Sequence, residues 1–210
     1  MKLDWKKDDK RFYQPAAEPG LIEVPAFQYF AVKGQANPDS DEFTRHVGLL
    51  YALSYAIRMS PKKNRAPAGY VEYTVFPLEG IWDISEEAKR RPKVTGAPVD
   101  RDALVFDLMI RQPSFVSPDY AAGIIEELKK KEKDPFLGGV RFESIADGSC
   151  VQMMHLGPYA TEAASFARME AFATEKGLRR LSLVHREIYL SDPRKTAAEK
   201  LRTVLRFKVG

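Results

Sequence analysis

The stretch His185-Arg186-Glu187-Ile188-Tyr189-Leu190-Ser191-Asp192-Pro193-Arg194-Lys195 decides how the rest of the chain is read. With the two-residue period of a β-strand, His185, Glu187 and Tyr189 share one face, and Arg186, Ile188 and Leu190 the other. One side thus carries an imidazole, a carboxylate and a phenol, while the other can pack. Asp192-Pro193 ends the strand, because proline brings no donor to a ladder and restricts the residue before it. Two readings stand open here: the polar face turns to bulk water, or it lines a cleft in which Glu187 is the best chemical group of the protein.

The neighbouring segments fit a strand and helix order. Cys150-Val151-Gln152-Met153-Met154-His155-Leu156-Gly157 reads as a strand closed by glycine. Pro158-Tyr159-Ala160 leads into a helix over Thr161 to Lys176, with Ala163, Phe166, Met169 and Phe172 inward and Gly177 as its stop. After the quoted stretch, Thr196-Ala197-Ala198-Glu199 has the pattern of a capping box, and Thr203 to Val209 that of a last strand.

The first half runs in the same order. Phe27 to Gly34 is a strand ending at glycine, and Asp41 to Met59 a helix with Phe43, Val47, Leu50, Ser54 and Ile57 at helical spacing. Pro61 to Pro67 makes an exposed basic loop. Tyr70 to Phe76, rich in aromatic and β-branched residues, reads as a second strand, with Glu72 on the face of Tyr70, Thr74 and Phe76. Ile81 to Ile84 precedes a capped turn at Ser85-Glu86-Glu87-Ala88, a basic connection covers 89–100, and Ala103 to Arg111 is the third strand. Ser117-Pro118-Asp119 then caps a helix over Pro118 to Glu132, packed through Tyr120, Ile124 and Leu128.

Strand, helix, strand, strand therefore occurs twice, with Gly34 and Gly157 (157 − 34 = 123 positions apart) and Glu72 and Glu187 (187 − 72 = 115 apart) as landmarks. The expected fold class is α+β: a tandem duplication of a strand-helix-strand-strand module, with antiparallel sheets and a helix on one face of each module. The first module spans 20–116 and the second 140–210, joined by a helical connection over 117–139. The faces left free by the helices would line a shared cleft, with Glu72 and Glu187 at equivalent positions.

Composition narrows the function classes. The 210 residues are 44% hydrophobic and 11% aromatic, enough for a core with flat side chains to spare. The net charge of +4, from 33 basic and 29 acidic residues, is scattered in short clusters, so direct nucleic-acid binding is not expected. The lone Cys150 excludes an intramolecular disulfide and a thiolate cluster, and it reads as buried rather than nucleophilic. His155 and His185 lack a third ligand in pattern, so no metal and no cofactor are expected. No apolar leader and no run of roughly 18 apolar residues is present, which points to a cytoplasmic protein without a membrane partner.

Three motifs together, Glu72-Tyr73-Thr74-Val75-Phe76-Pro77-Leu78-Glu79-Gly80-Ile81-Trp82, Val151 to Tyr159, and His185 to Lys195, resemble the GyrI-like small-molecule-binding family, and more closely its stand-alone bacterial branch. The resemblance covers nearly all of residues 20–210. It implies tandem modules around a ligand cleft. The same fold serves as the drug-sensing domain of some MerR- and AraC-type regulators, but this chain shows no helix-turn-helix pattern. Some stand-alone relatives hydrolyse reactive cyclopropane-containing, DNA-alkylating compounds of the duocarmycin type, in a cleft walled by aromatics around an essential glutamate with a tyrosine near it.

Residue by residue, Glu187 and Tyr189 match that motif, and Trp82 and Tyr159 match aromatic positions of the cleft. Tyr55, Phe106, Met154, Glu72 and His155 are weaker ligand-binding candidates. A carboxylate walled by aromatics is disfavoured in its ionised form and becomes a usable base. Glu187 would then activate water for attack on a strained ring carbon, with Tyr189 assisting. A non-catalytic small-molecule binder for planar or cationic ligands would share these residues, and gyrase-inhibiting relatives add DNA gyrase as a conceivable protein partner.

Overall fold

The computed structural model describes residues 2–91 and 100–210; residues 92–99, inside the connection expected over 89–100, lie outside the described residues. In chain order the elements are helices α1 (Trp5–Asp8) and α2 (Lys10–Tyr13), strands β1 (Gly20–Val24) and β2 (Phe27–Gln35), helix α3 (Asp41–Arg58), strand β3 (Leu78–Ile84) and helix α4 (Glu86–Arg90). There follow strand β4 (Leu104–Gln112), helix α5 (Pro118–Lys131), strands β5 (Arg141–Ile145) and β6 (Gly148–Leu156), helix α6 (Glu162–Glu175), and strands β7 (His185–Tyr189) and β8 (Arg202–Lys208). Among the described residues, no helix is long and apolar enough to cross a membrane.

The architecture is α+β, one eight-stranded antiparallel sheet in the order β1-β6-β8-β7-β3-β4-β2-β5. Its inner six strands mirror each other: β3 and β7, the middle strands of the two repeats, pair at the centre, with Gly80 opposite Glu187 and Trp82 opposite His185. The outer strands are exchanged. β1, just upstream of the first repeat's β2, pairs with β6, whereas β5, just upstream of β6, pairs with β2. Each half thereby covers a sheet edge of the other, which interlocks them.

Helix α3 lies on Phe30, Val32, Leu108 and Ile110 through Leu50, Leu53 and Ile57, all at most 1% exposed. Each such side chain contributes about 1.5–3 kcal/mol of burial. Ser40 and Ser117 cap α3 and α5 by accepting from the backbone N–H three residues on. Thr196 makes no such cap: the short turn Ala198–Lys200 begins at Ala197 without a side-chain partner.

The segment Tyr70 to Phe76 departs from expectation. Its composition suits a strand, yet its one sheet contact is an isolated bridge from Tyr73 to Leu3. Tyr73 and Phe76, three positions apart, are both buried, a spacing that strand alternation does not place on one face. The central strand begins only after Pro77, and Glu72 stands outside it, its side chain 56% exposed and paired with Arg58 at 2.7 Å. Glu72 therefore has no place opposite Glu187, and the 115-position offset marks no repeat; β2 and β6, ending at Gln35 and Leu156 beside Gly34 and Gly157, do.

The candidate residues also lie on the other side of the sheet from the one expected. Side chains of Glu187, Tyr189, Trp82, Phe106 and His155 share the face that carries α3 and α6. The opposite face is occupied by a buried ion network and by the N-terminal segment: Tyr13 Oη donates to Glu79 Oε1 at 3.1 Å, and Arg206 Nη2 to the Phe12 carbonyl at 2.9 Å.

Candidate functional site

Strand β7 presents His185, Glu187 and Tyr189 on the helix face and buries Arg186 and Ile188 behind, as the alternation requires. Glu187 Oε2 accepts from the Tyr189 hydroxyl at 2.8 Å. The Tyr189 oxygen in turn accepts from Trp82 Nε1 at 2.7 Å. Since an indole N–H can only donate, the tyrosine proton is committed to Glu187, and the relay runs from Trp82 to Tyr189 to Glu187. Burial, then the Glu187 charge, hold the Tyr189 phenol well above its ordinary range.

Glycine makes the relay possible. A Cβ on Gly80, directly opposite Glu187, would lie 2.8 Å from Trp82 Nε1 and 3.2 Å from Leu108 Cδ2. The indole therefore rests where an alanine methyl would be. Phe43 from α3 stacks on it at 5.8 Å and Phe106 meets it edge-on at 5.7 Å, leaving Trp82 6% exposed. Trp82 and Phe106 are thus the packed floor of the site.

The residue missed by sequence reading is Glu162. Helical spacing placed Ala163, Phe166, Met169 and Phe172 inward; Met169 is buried with Phe166 and Phe172 packed beside it, but Ala163 is exposed and α6 buries Glu162, Ser165 and Ala173. A carboxylate in a first helical turn is ordinarily assigned to solvent, where the dipole favours it. Here the turn is docked over β7, and Glu162 is 7% exposed, its Oε1 buried without a partner. Burial and then the Glu187 charge push the Glu162 carboxyl up to about 9. Buried beside a second carboxylate, the Glu162 carboxyl therefore keeps its proton at neutral pH.

Tyr159 closes the cluster from above, 40% exposed, its ring 6.0 Å from Tyr189 and edge-on. Burial, followed by Glu187 and Glu162, pushes its phenol up to about 12. His155, expected to touch a ligand, stands behind this turn: Nδ1 meets Ser165 Oγ at 2.9 Å and Nε2 the Pro158 carbonyl at 3.1 Å. It fastens the start of α6, and with it Tyr159 and Glu162. Met154 is a correction: it points to the opposite face, 3% exposed in the core, because its neighbour His155 takes the helix face. Tyr55 is 52% exposed on α3, its ring 6.4 Å from Tyr51. Cys150 is fully buried, and burial pushes its thiol up to about 11.

A family model described as the GyrI-like small molecule binding domain matches residues 17–209, and the chain belongs to that family. A hydrolase from Listeria innocua is 38% identical with a TM-score of 0.88, the match covering 100% of both chains. A second Listeria innocua structure described as a hydrolase is 36% identical with a TM-score of 0.87, covering 99% of this chain and 100% of its own. The C-terminal domain of EcmrR, 15% identical with a TM-score of 0.50 over 92% of this chain and 97% of its own, shares the fold. No protein of curated function matches the sequence.

Proposed function

We propose that this protein is a cofactor-independent hydrolase of neutral, planar electrophiles carrying a cyclopropane fused to a conjugated carbonyl, with a detoxifying role. The observation that carries the reading is the pair Glu187 and Glu162 among aromatic side chains, Glu187 held by the Tyr189 hydroxyl and Glu162 buried with one oxygen unpartnered and its carboxyl pushed up by burial and by the Glu187 charge. Opposite ion pairs stabilise a fold, whereas a like-charge pair holding one proton supplies a base and an acid side by side. The likeness to the Listeria innocua hydrolases supports the same reading.

In the proposed reaction Glu187, ionised and held by Tyr189, takes a proton from water as the water oxygen bonds to the strained ring carbon. The ring C–C bond breaks, its electron pair moves through the conjugated system to the carbonyl oxygen, and Glu162 protonates that oxygen. The product is substrate plus water. Glu187 then holds the proton that Glu162 has lost, and proton transfer between the two carboxyls restores the starting state. Tyr189 acts here through Glu187, since its own proton is directed there.

The cluster is covered in this structure, and the cavities of about 40 and 50 Å³ lie between α3 and α5 and on the far face of the sheet. A drug-sized ligand needs roughly 300 Å³ or more. Binding of such a ligand therefore requires the cluster to open. The test is incubation of a duocarmycin-type cyclopropanoid with wild type and Glu187→Gln, following the water-added product by mass spectrometry. Loss of general-base help is expected to slow Glu187→Gln by about 10²-fold or more. Tight binding without any water-added product from wild type would replace the enzyme reading by that of a sequestering protein.

A further inference from the structure

Helix α3 ends at Arg58, and the chain passes almost at once into a short turn over Ser60–Lys63 that opens the basic loop. Asn64, in the left-handed region at φ 53°, reverses the chain, and the Arg65 N–H returns to the Ser60 carbonyl at 3.1 Å. Tyr120 of α5 donates its hydroxyl to the Arg65 carbonyl at 2.8 Å, which ties the loop down beside that helix. Between α3, this turn and α5 remains the cavity of about 40 Å³. A water needs about 10–15 Å³ measured in the same way, so the space suits about three waters or one small organic molecule. The cavity shares no residue with the Glu187 cluster.

Packing alone does not account for its lining. Ser60 lines the cavity and is 3% exposed, with its Oγ bonded to nothing among the described residues. Ser54 of α3 satisfies the same group by donating to the Leu50 carbonyl at 2.8 Å, whereas Ser60 has no such outlet, and an unmet buried hydroxyl is costly. The cations Lys63, Arg65 and Lys131 border the cavity against one carboxylate, Glu127, which Arg65 Nη1 meets at 2.8 Å and Lys131 also binds. Ile124 and Leu128 of α5 form a wall without polar groups, where waters lack the two to four partners they require. We propose that this cavity is a binding site for a small carboxylate bearing a short alkyl chain, its oxygens taking the Ser60 hydroxyl and the basic rim and its chain lying on Ile124 and Leu128. The carboxylate completes the buried hydroxyl and offsets the excess of cations. The chain fills the space that water fills poorly.

The experiment titrates the full chain with sodium propionate at neutral pH and constant ionic strength, reading backbone amide shifts by NMR. Saturable shifts at Ser60, Arg65 and Leu128 are expected, with a dissociation constant on the order of 1 mM. Propionamide has the shape without the charge, and inorganic phosphate the charge without the chain; each is expected to bind roughly tenfold more weakly. Ser60→Ala and the exposed Lys63→Gln are expected to fold as wild type does and to weaken propionate roughly tenfold and threefold. Without propionate, Ser60→Ala should melt no lower than wild type. Shifts that never saturate, or wild-type affinity in both variants, overturn the site. Propionamide binding as tightly as propionate overturns recognition of the charge, and phosphate binding more tightly overturns recognition of the chain. None of these outcomes bears on the reaction proposed for Glu187, which uses other residues.

Discussion

Arg186 and Glu187 are neighbours in β7, yet they point into opposite kinds of electrostatic environment. Behind the sheet, Arg186 donates to Glu79 Oε2 at 2.8 Å and to Asp147 Oδ2 at 2.7 Å, all three side chains at most 6% exposed. Burial works against the guanidinium charge, but Tyr29, Glu79 and Asp147 outweigh it and hold Arg186 well above its ordinary range. In front, Glu187 meets another carboxyl, and one oxygen of that partner has nothing to bond. A closed network of opposite charges is complete without a ligand. A like-charge pair with an unpartnered oxygen is complete only with a proton or a substrate, which separates structure from chemistry across a single strand.

The largest effect on that contrast should come from Arg186→Met. It leaves Glu79 and Asp147 buried without their cation, and removal of one member of such a network costs about 3–5 kcal/mol. A corresponding fall in the urea midpoint is expected, whereas Glu187→Gln, expected to slow turnover, should leave that midpoint equal or higher. Gly80→Ala comes next. Its methyl would displace the Trp82 indole, and overpacking of this kind costs about 1–3 kcal/mol. Near-ultraviolet circular dichroism should register the moved indole, and turnover should fall because Tyr189 loses its donor.

A smaller effect concerns pH. Glu162 is held up to about 9 in the fold, against 4.5 as its ordinary value. Between these values the folded protein keeps a proton that the unfolded chain has released, so the stabilisation is whole below pH 4.5 and is lost as pH rises through about 9. The melting temperature of wild type should therefore decline over this window more steeply than that of Glu162→Gln. The smallest effect is expected from Glu72→Ala, which removes a half-exposed ion pair with Arg58. Exposed pairs contribute at most about 1 kcal/mol, so melting and turnover should both stay close to wild type; a large loss of turnover would return Glu72 to the site.

Much of this contrast was legible in the chain. The alternation from His185 to Tyr189 assigned Arg186 and Glu187 to opposite faces, and local caps at Ser40 and Ser117 fixed two helix starts, because both signals act over a few residues. Other elements resisted. Tyr70 to Phe76 carried strand composition but packs with a three-residue spacing, while β3 runs through Gly80, which looks like a breaker until the Trp82 ring fills the space of its missing side chain. The outer strands β1 and β5 escaped notice, since their pairing partners lie in the opposite half.

By itself, then, the sequence determined the duplicated strand and helix order and the two faces of β7. Each of these follows from residue types within a few positions of one another. Only the tertiary structure decided which face carries the candidate residues, and that Glu162 and not Glu72 acts on Glu187. Those are questions of which distant carboxyls share a volume without water, and the cost of desolvating a charge exists only once the chain has closed around it.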